Sequence, residues 1–227
     1  MLSETEKQKF RDFLKTIPYP VQKEYGAWAL SVVESGNVEH CLNREGPREL
    51  YDAAGIIPED HNIYKAFLDE IIRVHGIEGR HIIEVGGGAL PRLAERIHLK
   101  QKNGSITVYD PRLFIGLPDK NNFRLKREIF KRNTPTHNAD LLIGLMPCKG
   151  AEALVESAIS NSIDFMVWLC EGGWHGETID YFETDDEWRA TVIQTARYGM
   201  KDKNMGKLMI KKLPEFSKEY PIIYNER

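Results

Sequence analysis

The chain has 227 residues, of which 41% are apolar and 29% charged, and its net charge at pH 7 is −3. This balance is typical of one globular domain, or one domain with an appendage, and excludes a largely disordered chain. No apolar run approaches the roughly 18 residues of a membrane-spanning helix, and the small negative charge gives no general preference for nucleic acid or membrane surfaces.

Cysteine usage and the first residues indicate a compartment. Cys41, Cys148 and Cys170 form neither a disulfide framework nor a Cys-x-x-Cys pair. Residues 1–7 lack the basic and then apolar regions of a signal peptide. We therefore expect a cytoplasmic protein with reduced thiols and no membrane partner.

Residues 1–78 are predicted to be helical. Helices are expected from Ser3 to about residue 14, from 21 to 33, near Pro47, and from Asp60 or Asn62 to about residue 74. The second helix should place four side chains on one face, namely Tyr25, Trp28, Ala29 and Val32. We interpret residues 1–78 as a helical N-terminal extension, which either packs as core or forms a lid over the rest of the chain.

From residue 79 onward the pattern alternates between strand and helix. Strands are predicted at residues 81–85, 105–109, 123–130, 139–145 and 163–170, with helices at 90–99, 151–159 and 184–198. Two closing apolar segments, 207–213 and 220–224, should pair as an antiparallel hairpin. The alternation predicts an α/β fold, a doubly wound and mostly parallel sheet with helices on both faces. Such a sheet binds its ligand past the carboxyl ends of its central strands.

The most informative stretch is 81–91, His-Ile-Ile-Glu-Val-Gly-Gly-Gly-Ala-Leu-Pro. A short apolar run that includes Glu84 is followed by Gly86, Gly87 and Gly88, which indicates a buried strand, a tight turn and a helix start. Glycines allow a sharp turn and close approach of a ligand, and the helix N-terminus favours a carboxylate-bearing one. A dinucleotide site is disfavoured because Pro91 stands at its third glycine position and Glu84 would repel a pyrophosphate. The carboxylate could instead accept a hydrogen bond from an ammonium group.

This stretch resembles motif I of the class I S-adenosylmethionine (SAM)-dependent methyltransferases, acid-x-Gly-x-Gly-x-Gly, with Leu90 at the last glycine. The resemblance covers about residues 79–227 and implies a Rossmann-like fold with SAM as cofactor. It assigns Glu84 and the three glycines to the donor site. An ordinary strand–turn–helix without a ligand is the alternative.

Asp110 ends the second predicted strand, 26 residues after Glu84. A carboxylate there can accept from both hydroxyls of a ribose, because its two oxygens lie side by side. In the methyltransferase family the matching acid binds the SAM ribose. A solvated Asp before Pro111 is the alternative.

The loop after the fourth predicted strand contains Met146, Pro147 and Cys148. Met146 is included among the donor-site candidates. The Pro-Cys pair resembles that of methyltransferases that use a cysteine as nucleophile on a pyrimidine ring. The other motifs of those enzymes are missing here, so packing of Cys148 in the loop or pocket wall is the alternative.

The loop after the fifth predicted strand contains Glu171, Trp174, His175 and Glu177, which would face a methyl acceptor. His175 could deprotonate the acceptor near neutral pH, and Trp174 could form one wall of its site. We take His175, Cys148 and Glu171 as the catalytic candidates. The cysteines and His175 lack metal-ligand spacing, so no metal is expected.

Five basic residues surround the third predicted strand: Arg124, Lys126, Arg127, Lys131 and Arg132. They would suit a phosphate or nucleic acid, or else form a solvated edge that suppresses aggregation.

The sequence thus favours a methyltransferase that transfers a methyl group from SAM to an unidentified acceptor, whether a small molecule, a protein or RNA. Two alternatives stay open. One is a non-catalytic protein that binds SAM or a partner, consistent with Leu90 in motif I. The other is a nicotinamide-dependent oxidoreductase, which Glu84 and Pro91 disfavour.

Overall fold

A computed structural model describes residues 2–17, 22–36, 48–114, 121–148, 150–170 and 184–227. Its helices are α1 (Glu4–Thr16), α2 (Ala27–Glu34), α3 (Arg48–Ala53), α4 (Ile63–Val74), α5 (Arg92–Lys100), α6 (Gly150–Asn161) and α7 (Asp185–Lys203). A π-helical turn (Gln22–Gly26) precedes α2, and a 3₁₀ turn (Glu59–His61) precedes α4. None of the helices in these ranges is both long and apolar enough to cross a membrane.

One sheet of seven strands organises the described chain. The strands are β1 (His81–Val85), β2 (Ser105–Tyr109), β3 (Phe123–Lys126), β4 (Leu141–Leu145), β5 (Asp164–Trp168), β6 (Lys207–Leu213) and β7 (Ser217–Glu226). Their order is β3-β2-β1-β4-β5-β7-β6, and the first five are parallel. β7 is antiparallel to both β5 and β6. This is the strand order of the class I methyltransferase fold, and the predicted fold class is confirmed.

The central strands are the most apolar, because both of their faces are covered. All of β5 is buried, and β4 is buried from Leu141 to Gly144. One face packs against α4 and α5 through side chains such as Phe67 and Leu93, and the other against α6 and α7 through Leu154 and Val192. Apolar strands of this kind are typical of parallel sheets with helices on both sides.

Two of the described N-terminal helices, α1 and α4, begin at local signals in the sequence. Ser3 caps α1 in a capping box with Glu6, and Asn62 caps α4 through the backbone N–H groups of Tyr64 and Lys65. The expected apolar face of the second helix is confirmed only in part: Ala29 and Val32 are buried but Trp28 is 51% exposed. The buried face of this helix is formed by Ala29, Val32 and Val33, which leaves Trp28 at its margin.

One expectation near the sheet edge was wrong: the third strand ends at Lys126 and not at residue 130. The fully described connection 127–140 between β3 and β4 contains no helix. The sheet face beside this connection borders a cavity of about 620 Å³ instead, and Arg124 and Lys126 are among its lining residues. Binding of nucleic acid by these basic residues stays a prediction.

Candidate functional site

The glycine turn, Asp110 and the loop after β4 come together at the carboxyl ends of β1, β2 and β4. Gly86 donates its backbone N–H to the carbonyl of Tyr109 at 2.9 Å, and Gly88 donates to Asp110 Oδ2 at 2.8 Å. A Cβ on Gly86 would lie 2.7 Å from Pro147 Cα. Three segments far apart in sequence therefore form one edge of the sheet, where ligands of doubly wound folds bind.

The turn needs glycine at two positions for backbone reasons. Gly86 has φ +79° and Gly88 has φ +76°, in the left-handed region that side chains with a Cβ adopt at a cost. Gly87 is constrained differently: a Cβ there would overlap the side chain of Val108. The predicted strand, tight turn and helix start are confirmed, whereas ligand binding by the glycines stays a prediction.

Glu84 points toward the first turn of α5. Its side chain is buried, and Oε2 accepts from the backbone N–H of Ala94, in the first turn of α5, at 3.1 Å. Burial raises the pKa of Glu84 to about 8, although the Ala94 hydrogen bond acts in the opposite direction. The carboxyl is thus mostly protonated at neutral pH, which does not favour its predicted role as acceptor for an ammonium group.

Asp110 is buried where the sequence predicts a ribose-binding acid, but its oxygens already have partners. Oδ1 accepts from the backbone N of Arg112 at 2.7 Å and from Arg112 Nε at 3.1 Å. Oδ2 accepts from Arg112 Nη2 at 3.0 Å and from Gly88. These bonds raise the pKa of Arg112 above its ordinary value. A ribose could reach Asp110 only if the Arg112 side chain moved.

The N-terminal extension contributes residues that the sequence did not single out. Glu49 Oε1 accepts from the backbone N–H of Ala89 at 3.3 Å, and the neighbouring Arg48 has Nη1 3.9 Å from Met146 Sδ. Burial raises the pKa of the Tyr64 phenol well above 10, with Glu49 as a further cause, so this phenol is neutral beside them. Glu49 is 35 residues from Glu84 in sequence and belongs to no motif, so no local signal could have identified it.

A buried ionic network fixes α3 against α5. Asp52, 4% exposed, accepts from Arg92 Nε at 2.7 Å and from Arg96 Nη2 at 2.7 Å. Asn62 also donates to Asp52. Asp52 thus pairs α3 with two arginines of α5, the helix that follows the glycine turn. These ion pairs hold α3 against α5, and Arg48 and Glu49 are held near the turn with it. Whether residues 1–78 act as a lid stays a prediction.

Two thiols meet at the ends of β4 and β5. Cys148 Sγ lies 3.6 Å from the carbonyl oxygen of Met146, and Cys170 Sγ lies 3.4 Å from Cys148 Sγ. Both Met146 and Cys148 have positive φ, which brings the loop back over the sheet edge. Neither contact supplies a base, and the nucleophilic role of Cys148 stays a prediction.

Glu171, Trp174, His175 and Glu177 lie outside the described residues. Residues on either side of that segment are in contact. Arg189 Nη1, on α7, donates to the carbonyl of Cys170 at 3.0 Å, and the Arg189 side chain is almost fully buried. A buried guanidinium therefore lies where β5 ends, at the place where the acceptor-facing loop was predicted. The sequence offered no signal for it, because Arg189 lies on a helix that is mostly polar.

No protein-family model matches this sequence, and no curated protein matches it either. Solved structures with a similar arrangement include a fibrillarin from Aeropyrum pernix with bound SAM, 17% identical, with a TM-score of 0.42 over 65% of this chain and 66% of that one. The magnesium protoporphyrin IX methyltransferase of Synechocystis, also with SAM, is 9% identical, with a TM-score of 0.46 over 100% and 99% of the two chains. A putative SAM-dependent methyltransferase from Methanococcus maripaludis is 18% identical, with a TM-score of 0.45 over 72% and 85%.

Proposed function

We propose that this protein is a SAM-dependent methyltransferase whose acceptor is yet to be identified. The observation that supports the proposal is the direct hydrogen bond from Gly88 to Asp110 at the carboxyl ends of β1 and β2. This bond brings the glycine turn, which has no side chains, next to a carboxylate with two acceptor oxygens. Both lie at the place where doubly wound sheets bind nucleoside ligands.

The turn presents backbone without side chains at Gly86 and Gly88, the kind of backbone that a nucleoside ligand can approach. Pro147 and Glu49 lie where Cβ atoms of these glycines would be, so the donor would lie against the turn beside these two residues. Asp110 can accept from the ribose hydroxyls once Arg112 gives up its two side-chain hydrogen bonds. When bound, SAM supplies an electrophilic methyl group on a sulfonium, and in-line transfer to an acceptor requires mainly positioning.

The acceptor side requires a nucleophile aligned with that methyl group. An acceptor atom forms the new bond to carbon with its lone pair, the carbon–sulfur bond breaks, and its electron pair stays on sulfur. If the acceptor carries a proton, a base must remove it, and His175 is the candidate that the sequence offers. Arg189 donates to the Cys170 carbonyl and pairs with Asp186 at 2.6 Å, so it would hold the end of β5 in place beside the acceptor rather than bind the acceptor itself.

A second candidate is a binding protein on the same fold without transferase activity. It is favoured by one observation, the complete engagement of the Asp110 oxygens by Arg112 and Gly88. In that case the turn would be closed by the chain itself, and adenosyl ligands would not bind.

Isothermal titration calorimetry with SAM, S-adenosylhomocysteine and NAD tests the proposal. We expect both adenosyl ligands to bind and NAD not to bind. Incubation with methyl-labelled SAM and fractionated small molecules, protein and RNA would then identify the acceptor class. Binding of NAD alone, or of none of the three, would contradict the proposal. Binding of none of the three would favour the binding protein, whose turn is closed by the chain itself, and binding of SAM without label transfer to any fraction would contradict transferase activity.

A further inference from the structure

A carboxylate from the N-terminal extension faces the glycine turn. Glu49 Oε1 accepts from the backbone N–H of Ala89 at 3.3 Å, and a Cβ built on Gly88 would lie 3.2 Å from the same oxygen. Glu49 therefore lies directly against the turn, although it comes from α3 and not from the sheet. Glu49 is half-buried, so part of it is accessible to solvent.

The two acids that belong to the sheet are engaged elsewhere. Glu84 is 2% exposed and accepts from Ala94 in α5, and Asp110 accepts from Arg112 and Gly88. A cationic group that enters above the turn meets neither of these carboxyls without rearrangement. Glu49 is the carboxylate that the described part of the N-terminal extension places against the turn.

A cation lies next to that carboxylate. Arg48 precedes Glu49 in the chain and extends toward the loop after β4, where Nη1 is 3.9 Å from Met146 Sδ. The N-terminal extension thus places an anionic side chain against the glycine turn and a cationic one toward the loop after β4. An α-amino acid group carries the opposite pair, an ammonium and a carboxylate on one carbon, and so matches both.

We infer that Glu49 binds the α-ammonium group of the donor while Arg48 faces its carboxylate, so that the protein selects adenosyl ligands that carry an amino acid. This inference rests on the proposed function, since it assigns residues to the donor named there. The bond to Ala89 can persist, because an ionised carboxylate has several acceptor positions. The buried ion pairs of Asp52 with Arg92 and Arg96 fix α3 and thus preorganise both side chains.

The same geometry suits one opposite role, in which Glu49 blocks the turn and must leave before any ligand enters. The two roles predict opposite effects of Glu49 on ligand affinity. A counter-ion strengthens binding of ligands with an ammonium group only, whereas a blocking side chain weakens binding of every adenosyl ligand.

The test compares Glu49→Gln with the wild type by calorimetry, using two probes. S-adenosylhomocysteine carries the amino acid, and 5′-methylthioadenosine keeps the nucleoside and the thioether but lacks it. We expect Glu49→Gln to weaken S-adenosylhomocysteine binding about 10- to 100-fold, the effect of one charge-assisted hydrogen bond, and to leave methylthioadenosine binding unchanged. Arg48→Gln should show the same selectivity between the probes.

Two further variants complete the experiment. Glu59→Gln removes a carboxylate of the same extension that faces Arg96 at 3.3 Å and does not touch the turn, so it should bind both probes like the wild type. Glu84→Gln should weaken S-adenosylhomocysteine binding less than Glu49→Gln does. Thermal unfolding of each variant checks that it is folded at the temperature of the titration.

Each outcome decides between the ideas. Equal loss for both probes, unchanged affinity, or tighter binding in Glu49→Gln would overturn the inference, and tighter binding of both probes would establish the blocking role. These outcomes leave the proposed donor site intact, since the wild type binds in all of them. If the wild type binds neither probe, the proposed function fails and the inference fails with it.

Discussion

Replacement of Glu84 by Gln should stabilise the protein at neutral and alkaline pH. The Glu84 carboxyl is 2% exposed, and burial raises its pKa to about 8 from an ordinary value of 4.5. The folded protein therefore binds this proton more tightly than the unfolded chain does. The contribution of the protonated Glu84 carboxyl to the free energy of unfolding is fully present below about pH 4.5 and is lost as the pH rises toward 8. Gln has a similar shape, can still accept from Ala94 and does not ionise.

The size of the effect follows from the two pKa values. They differ by about 3.5, and each pKa unit corresponds to about 1.4 kcal/mol. The wild type should thus lose up to about 5 kcal/mol of unfolding free energy relative to Glu84→Gln as the pH rises past 8, with about 3 kcal/mol already lost at pH 7. This is a large share of the 5–15 kcal/mol or so of stability that is usual for a domain.

Urea denaturation of both proteins from pH 5 to pH 9 measures this difference. The free energy of unfolding of the two should be close at pH 5 and should diverge steadily above it, with Glu84→Gln the more stable. Glu215→Gln, which changes an exposed acid in the turn before β7, serves as the matched control and should stay parallel to the wild type. Parallel curves for Glu84→Gln as well would refute the conclusion that Glu84 is a buried, protonated acid.

Three further predictions follow from single contacts. Asp52→Asn leaves two arginines of α5 without their buried partner and should cost about 3–5 kcal/mol in urea denaturation, whereas a loss below about 1 kcal/mol would contradict a buried network. Gly86→Ala should lower the melting temperature more than Gly76→Ala, because both residues have positive φ but only a Cβ at Gly86 would meet other atoms. Equal losses would show that space at the turn is not limiting. Arg112→Gln removes the side chain that competes with a ribose for Asp110, so calorimetry should find tighter binding of adenosyl ligands, and weaker binding would assign Arg112 to the ligand.

Local signals in the sequence were sufficient for most elements of the fold. Ser3, Asn62 and Thr184 cap their helices through hydrogen bonds to backbone groups two or three residues away. Such bonds require no tertiary contact, which explains why the sequence predicts them. The connection 127–140 was harder, because its residues give no periodic pattern and its conformation depends on the sheet face that it covers.

The location of the candidate site was also predictable. The glycine turn after β1 and Asp110 after β2 lie where their strands end, and parallel strands end at one edge of the sheet. Their hydrogen bond through Gly88 follows from that register, since Val85 and Tyr109 are opposite each other.

The sequence by itself determined most helices and strands and the edge at which a ligand is predicted to bind, because each depends on the periodicity or conformation of neighbouring residues. Only the tertiary structure decided which carboxylate faces that edge. A side chain at the end of a strand can bond to the following helix or to a ligand, and burial against α5 turned Glu84 toward Ala94. Glu49 lies over the turn because Asp52, three residues further on, pairs with Arg92 and Arg96 across 40 and 44 residues of chain. Ion pairs over such separations are set by how whole helices pack, and no local pattern specifies them.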